Sequence, residues 1–306
     1  MLGERARVRG PFPKSPLNSQ GSVLRFEKDP DAWEDADMKR SAAVAGAFYP
    51  SKPAVLREMV QGFLNPDAPK ESVLGIVVPH AGFIYSGPVA AATYSGIVSA
   101  DTYILMGPNH TGRGERVALM ASGSWETPLG EVPIDSAVAA DLRRASSLIA
   151  EDAQAHREEH CLEVQLPFLQ CLTTGFRIVP LCLSRLSYPE CEHLGKAVAG
   201  VMRSYSFSKE VILVASSDMN HYESQEITFE KDHKVIDVLL TLDPEAFFRS
   251  VREYHDSMCG YLPATVLLVA ARELGAREAK LVSYATSGDV SGDTEQVVGY
   301  AGILIQ

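Results

Sequence analysis

Three apolar runs in this chain stop abruptly at turn-forming residues and then present a histidine, and this repetition limits the fold more than any other feature. The runs are Leu-Gly-Ile-Val-Val-Pro-His (74–80), Thr-Tyr-Ile-Leu-Met-Gly-Pro-Asn-His (102–110) and Val-Ile-Leu-Val-Ala-Ser-Ser-Asp-Met-Asn-His (211–221). Each reads as a buried strand emptying into a loop. Strands are expected near 74–79, 102–107, 116–121, 177–183, 211–216, 279–284 and 297–305. Helical patterns lie between them near 53–64, 87–98, 136–148, 188–204, 226–240, 244–252 and 263–274. Alternation of this kind implies an α/β domain with a mostly parallel or mixed central sheet and helices on both faces. Ligands in such sheets bind beyond the carboxyl ends of the strands. His80, His110 and His221 would all be delivered there.

The 306 residues include 46% hydrophobic ones, enough for one large domain over 38–306. A formal charge of −11 argues against nucleic acid and against an anionic membrane surface. The five cysteines are odd in number and contain no CxxC pair, which is reduced, cytoplasmic usage. No apolar run approaches the roughly 20 residues that a membrane span requires. Residues 1–37 differ from the rest. Arg5, Arg7, Arg9 and Lys14 alternate with Gly and Pro before an acidic stretch at 29–37, and a disordered leader is expected there.

Pro79 stops the first strand, and Gly82 and Gly87 suit a tight loop around His80. Asp218 lies three residues before His221, close enough to orient that imidazole and raise its basicity, although it could equally cap the next segment. Cys259 precedes a helix with Pro263 in its first turn, where the helix dipole favours thiolate. His160 and Glu163 stand three apart and would share a helical face. Glu158 and Glu159 read as a solvated helix start, and His156, His193, His233 and His255 as surface or cap residues. Cys161, Cys171, Cys182 and Cys191 are expected to be buried and inert. Glycines in the last strand suggest that something packs closely there.

Seven segments together point to a family: Ala-Gly-Ala-Phe-Tyr-Pro (45–50), Val-Pro-His-Ala-Gly-Phe-Ile-Tyr-Ser-Gly (78–87), Met-Gly-Pro-Asn-His (106–110), Glu-Glu-His-Cys-Leu-Glu-Val-Gln-Leu-Pro (158–167), Ser-Ser-Asp-Met-Asn-His-Tyr (216–222), Met-Cys-Gly (258–260) and the terminal Gly-Tyr-Ala-Gly. In this order, across 38–306, they resemble the Memo family, the B component of the AmmeMemoRadiSam system in prokaryotes. The resemblance implies a fold similar to class III extradiol dioxygenases, which are non-haem Fe(II) enzymes. It implies a metal site of His80, His110 and Cys259, with His221 as acid/base and Asp218, His160 and Glu163 in the same cleft. Phe48, Tyr49, Tyr85 and Asn109 would line the substrate pocket. The dioxygenases complete their triad with a carboxylate, whereas this chain offers a thiolate. That softer donor admits copper or zinc beside iron, the first expectation, and means that ring cleavage cannot be carried over. An iron-dependent oxidoreductase acting on a small substrate is one expected function. A non-catalytic iron/copper binder or redox sensor, and a peptide-binding adaptor, are the alternatives. A radical-SAM protein and an AMMECR1-like protein are implied as pathway partners.

Overall fold

The computed structural model describes residues 38–306, so the leader expected at 1–37 lies outside the described residues. The chain begins with β1 (Lys39–Arg40), α1 (Pro53–Phe63), β2 (Gly75–Val78), α2 (Phe83–Ser95) and β3 (Thr102–Pro108). It continues through β4 (Val117–Leu119), β5 (Ser124–Thr127), β6 (Gly130–Pro133), α3 (Ser136–Ala145), β7 (Ala150–Glu151) and α4 (Leu166–Leu172). Next come β8 (Arg177–Leu183), α5 (Tyr188–Tyr205), β9 (Val211–Ser216), β10 (His221–Glu223) and α6 (Gln225–Leu240). The last elements are α7 (Pro244–Glu253), α8 (Tyr261–Leu274), β11 (Ala279–Thr286), α9 (Gly288–Ser291) and β12 (Val297–Ile305).

The central sheet runs β10-β12-β2-β9-β3-β8-β4-β7, with β11 also paired to β12. Its middle strands β2, β9, β3 and β8 are parallel. β12 is antiparallel to β2, and β4 is antiparallel to β8, so the sheet is mixed. The four parallel strands are almost wholly buried, in keeping with their largely apolar content when both faces are covered. α8 packs against β2, β3 and β9 on one face, while α2 lies against β11 and β12 on the other. No helix among the described residues is long and apolar enough to cross a membrane.

Three local expectations need correction. α2 begins at Phe83, not near 87, so Gly87 is a helical residue packed under the Phe63 ring instead of a loop hinge. The β5–β6 hairpin joins β1 in a separate three-stranded sheet that the apolar pattern did not reveal. The seven-residue α4 follows two short 3-10 turns, Gln154–His156 and Glu163–Gln165, and was also missed.

The close approach expected at β12 has an identified cause. A Cβ at Gly299 would lie 1.8 Å from Asp232 Oδ2 on α6, so only glycine fits. Asp232 is fully buried, accepting from the Asn220 amide at 2.9 Å and from the Tyr284 hydroxyl at 2.7 Å. Beside it lies Asp256, whose Oδ1 accepts from the Met258 amide at 2.8 Å. Burial, together with the adjacent carboxyl, raises Asp232 above the carboxylate range, so the pair retains a proton at neutral pH. A native pKa raised above the unfolded value gives stability that is present in acid and lost as pH rises through the native value. Wild-type stability is therefore expected to fall between about pH 4 and about pH 8. Asp256→Asn keeps the hydrogen-bonding shape and removes the second ionisation. It should gain about 1–2 kcal/mol over wild type at the alkaline end, read by urea denaturation. Parallel pH curves for the two proteins would contradict the shared proton.

Candidate metal centre

The sheet order brings the histidines together. β2 and β3 flank β9, the loops after these three strands carry His80, His110 and the Ser217–Asn220 segment, and His221 opens β10 directly after that segment. Cys259 comes from the start of α8, which is pressed against the end of β9. A Cβ at Gly260 would meet Ser216 O at 2.4 Å, and the Gly260 amide donates to Ser217 Oγ at 2.8 Å. Only glycine permits that contact, which holds the preceding thiol at the carboxyl end of the sheet.

Cys259 Sγ lies 3.2 Å from His80 Nε2, and the ligand atoms of His80, His110 and Cys259 all fall within 4.8 Å of one another. An ion about 2.1 Å from a nitrogen and about 2.3 Å from a sulfur brings those donors into the same range of separation. The remaining ring nitrogens are already engaged. Ser216 Oγ donates its single proton to Cys161 O at 2.6 Å and accepts from Gln165 Nε2 at 2.9 Å. Its 2.9 Å contact with His80 Nδ1 must then be donated by the ring, leaving Nε2 with a lone pair facing Cys259. Likewise, His110 Nδ1 donates to Glu159 Oε1 at 2.9 Å and leaves its Nε2 free. Both imidazoles thus hold the tautomer a metal ligand needs. The His110 side chain is 35% exposed and that of His160 21%, so one side of the cluster is open.

Charge follows from this packing. His80 is driven well below its ordinary value by burial and by the neighbouring His110 and His160, and stays neutral. Burial opposes the charge on Glu159, but hydrogen bonds from His110 and from the Cys161 amide hold its carboxyl down to about 2. Burial and the nearby Asp218 push the Cys259 thiol up, which corrects the expectation that the helix dipole would set its state. Without a bound cation the desolvation cost wins.

Several predicted residues sit elsewhere than expected. Asp218 makes no hydrogen bond to His221 Nδ1. Its Oδ1 accepts from the His80 and Ala81 amides at 2.7 and 3.3 Å, bracing the ligand loop, and burial pushes its carboxyl up to about 7. His221 is held through its amide, which donates to Ser257 Oγ at 2.8 Å, while its buried Nδ1 has no hydrogen-bond partner among the described residues. Glu163 turns away from His160 into the core. There it accepts from Arg40 Nη1, the Ala43 and Val44 amides and Tyr49 Oη at 2.5–3.1 Å. Phe48, Tyr49 and Tyr85 do meet, in a hollow of about 280 Å³ shared with Met59 and Ile84. The Phe48 ring also lies 4.7 Å from that of His160. Asn109 spends its amide within its own loop, on Thr111, Gly112 and Arg113. His156 is fully buried, not a surface residue.

Glu159 is the important residue that sequence reasoning missed. It is 1% exposed and accepts from the amides of His110, His160 and Cys161 as well as from the His110 ring. A glutamate beside a histidine in Glu-Glu-His was the available signal. Glu159→Gln should keep the fold but weaken metal binding by about 10–100-fold, measured by competition with a chelator. Unchanged affinity would show that the contact is incidental.

The chain matches a family model described as Memo-like protein over residues 40–304. A MEMO1 family protein of Methanopyrus kandleri is 42% identical over 283 residues, covering 88% of this chain and 99% of that protein. One of Methanococcoides burtonii is 43% identical over 269 residues, covering 87% and 100% respectively. One of Sulfurisphaera tokodaii is 41% identical over 282 residues, covering 87% and 99%.

Proposed function

The chain belongs to the Memo-like protein family, and from that premise we propose that it is an iron-dependent redox enzyme acting on a small, metal-chelating substrate in a dioxygenase-like cleft. The observation carrying this reading is the three-donor set of His80, His110 and Cys259 with one open side. Structural sites close their coordination with protein groups, whereas catalytic ones keep a position for substrate. Iron would be held by these three residues, with copper or zinc as alternatives suited to a thiolate. When bound, it would polarise substrate oxygens and exchange electrons.

The remaining work falls to side chains. His221 is kept below its ordinary pKa by burial, so its ring is neutral and ready to take a proton from a substrate hydroxyl. His160 stacks on His110 at 4.8 Å between centroids and lies 4.7 Å from the Phe48 ring that lines the hollow. The hollow itself, lined by Phe48, Met59, Ile84 and Tyr85, would receive the apolar part of the substrate and exclude water. A cytoplasmic location and a pathway shared with a radical-SAM protein and an AMMECR1-like protein belong to the same proposal.

His221→Asn separates turnover from metal holding. Under anaerobic iron loading its metal content should stay within about twofold of wild type, while oxygen uptake with chelating phenols falls by about 10²–10⁴-fold. Equal turnover in the two proteins would remove His221 from the chemistry. No uptake by fully loaded wild type with any chelating phenol would overturn the enzymatic reading.

A further inference from the structure

Two further cysteines meet beneath the cleft. Cys182 on β8 pairs in register with Gly107 on the neighbouring β3, so its side chain stands beside the space above that glycine. Cys161 fills the space: a Cβ at Gly107 would lie 2.5 Å from Cys161 Sγ. Cys161 Sγ donates its proton to Pro108 O at 3.1 Å. His156 Nδ1 lies 3.3 Å from Cys182 Sγ, and its Nε2 lies 3.1 Å from Ala118 O. A carbonyl only accepts, so Nε2 carries the ring proton and Nδ1 is left to receive one from the thiol.

We propose that Cys161 and Cys182 form a redox-active dithiol that hydrogen peroxide converts to a disulfide, with His156 as the base. In the first step Nδ1 takes the Cys182 proton and the thiolate attacks one peroxide oxygen. The O–O bond breaks, the departing hydroxide recovers the proton from Nδ1, and water leaves Cys182 as sulfenic acid. The Cys161 sulfur then attacks Cys182 Sγ, the S–O bond breaks, and the Cys161 proton departs with the hydroxide as a second water. Two thiols lose two electrons, and one peroxide becomes two waters.

The environment of Cys182 supports the pairing. Burial pushes an isolated thiol up, as it does Cys191, to about 12. Cys182 is instead drawn down by the adjoining Cys161 thiol and by His156, despite equal burial. Both sulfurs and His156 are inaccessible in the resting fold, yet Cys161 directly follows His160 at the open cleft. Only an oxidant near the size of water can reach them through a small local opening. A disulfide of about 2.05 Å would draw Cys161 from Pro108 and disturb Glu159, which the Cys161 and His160 amides hold against His110. Oxidation should therefore also weaken metal binding.

The test uses the full-length chain, exposed to hydrogen peroxide, then denatured, alkylated and mapped by mass spectrometry. The expected product is a linked Cys161–Cys182 peptide pair that dithiothreitol separates, whereas a bulky aromatic disulfide leaves both thiols intact in the folded protein. Cys161→Ser should leave a sulfenic acid on Cys182 that dimedone traps. His156→Gln should slow peroxide consumption at Cys182 by about 10²-fold. Should that variant fail to fold, Cys182→Ser serves instead, with Cys161 expected to persist as a free thiol. Recovery of both residues as thiols after peroxide has consumed Cys171 or Cys259 would overturn the proposal. A wild-type rate in folded His156→Gln would do the same.

Discussion

Cys259→Ser is expected to strip the protein of its metal. Wild-type chain purified without oxygen should carry close to one ion, and the variant less than about a tenth of that. Serine is nearly isosteric, but its hydroxyl ionises far too weakly to replace a thiolate as an anionic donor. His80 and His110 remain in place, held by Ser216 and Glu159, so the loss reports the sulfur alone. The Asp218 amide, which points at Sγ from 3.3 Å, also loses that sulfur as its acceptor. Elemental analysis beside a circular dichroism spectrum checks both metal and fold. Full metal content in the serine variant would mean that the thiol is a bystander.

The largest effect on stability is expected from Glu163→Ala. Glu163 is fully buried and its partner Arg40 is 4% exposed, with 2.7 Å between their charged atoms. Arg40 also lies over the Trp125 ring at 4.2 Å and donates at 2.6 Å to the carbonyls of His156 and Glu159. Removing the carboxylate leaves a buried guanidinium without its counter-charge, together with two unpaired amides and a tyrosine hydroxyl. A loss of about 3–5 kcal/mol follows, or roughly 10 °C in melting temperature for a domain of this size. Adding Arg40→Met should recover part of it, because an uncompensated buried charge costs more than an absent pair. Recovery stays incomplete because Arg40 also serves the two carbonyls. A Glu163→Ala protein within about 1 kcal/mol of wild type would contradict the assignment.

That buried pair also marks where sequence reading stopped. The strands that matter most were legible because they are covered on both faces and carry unbroken apolar runs, and their ends were visible in Pro79, Pro108 and Ser216. Histidines following those ends could be placed in one crevice before any contact was known. Contacts made across the chain left no comparable trace. Arg40 bonds to residues 116 to 123 positions away, and Glu159 meets His110 across 49. On a local pattern Glu159 passes for a solvated helix start, and Glu163 for the companion of His160. Asp218 lies close to His221 in sequence but serves His80, because the turn after β9 points its carboxylate toward β2. The β5–β6 hairpin was hidden for a different reason: only alternate residues of β5 are buried, and Pro128 and Gly130 interrupt its pattern.

X-ray absorption at the iron edge of anaerobically loaded wild-type protein tests the central claim most directly. One sulfur scatterer near 2.3 Å together with two imidazoles is the result expected for His80, His110 and Cys259. A first shell of only oxygen and nitrogen, with no sulfur, would contradict it.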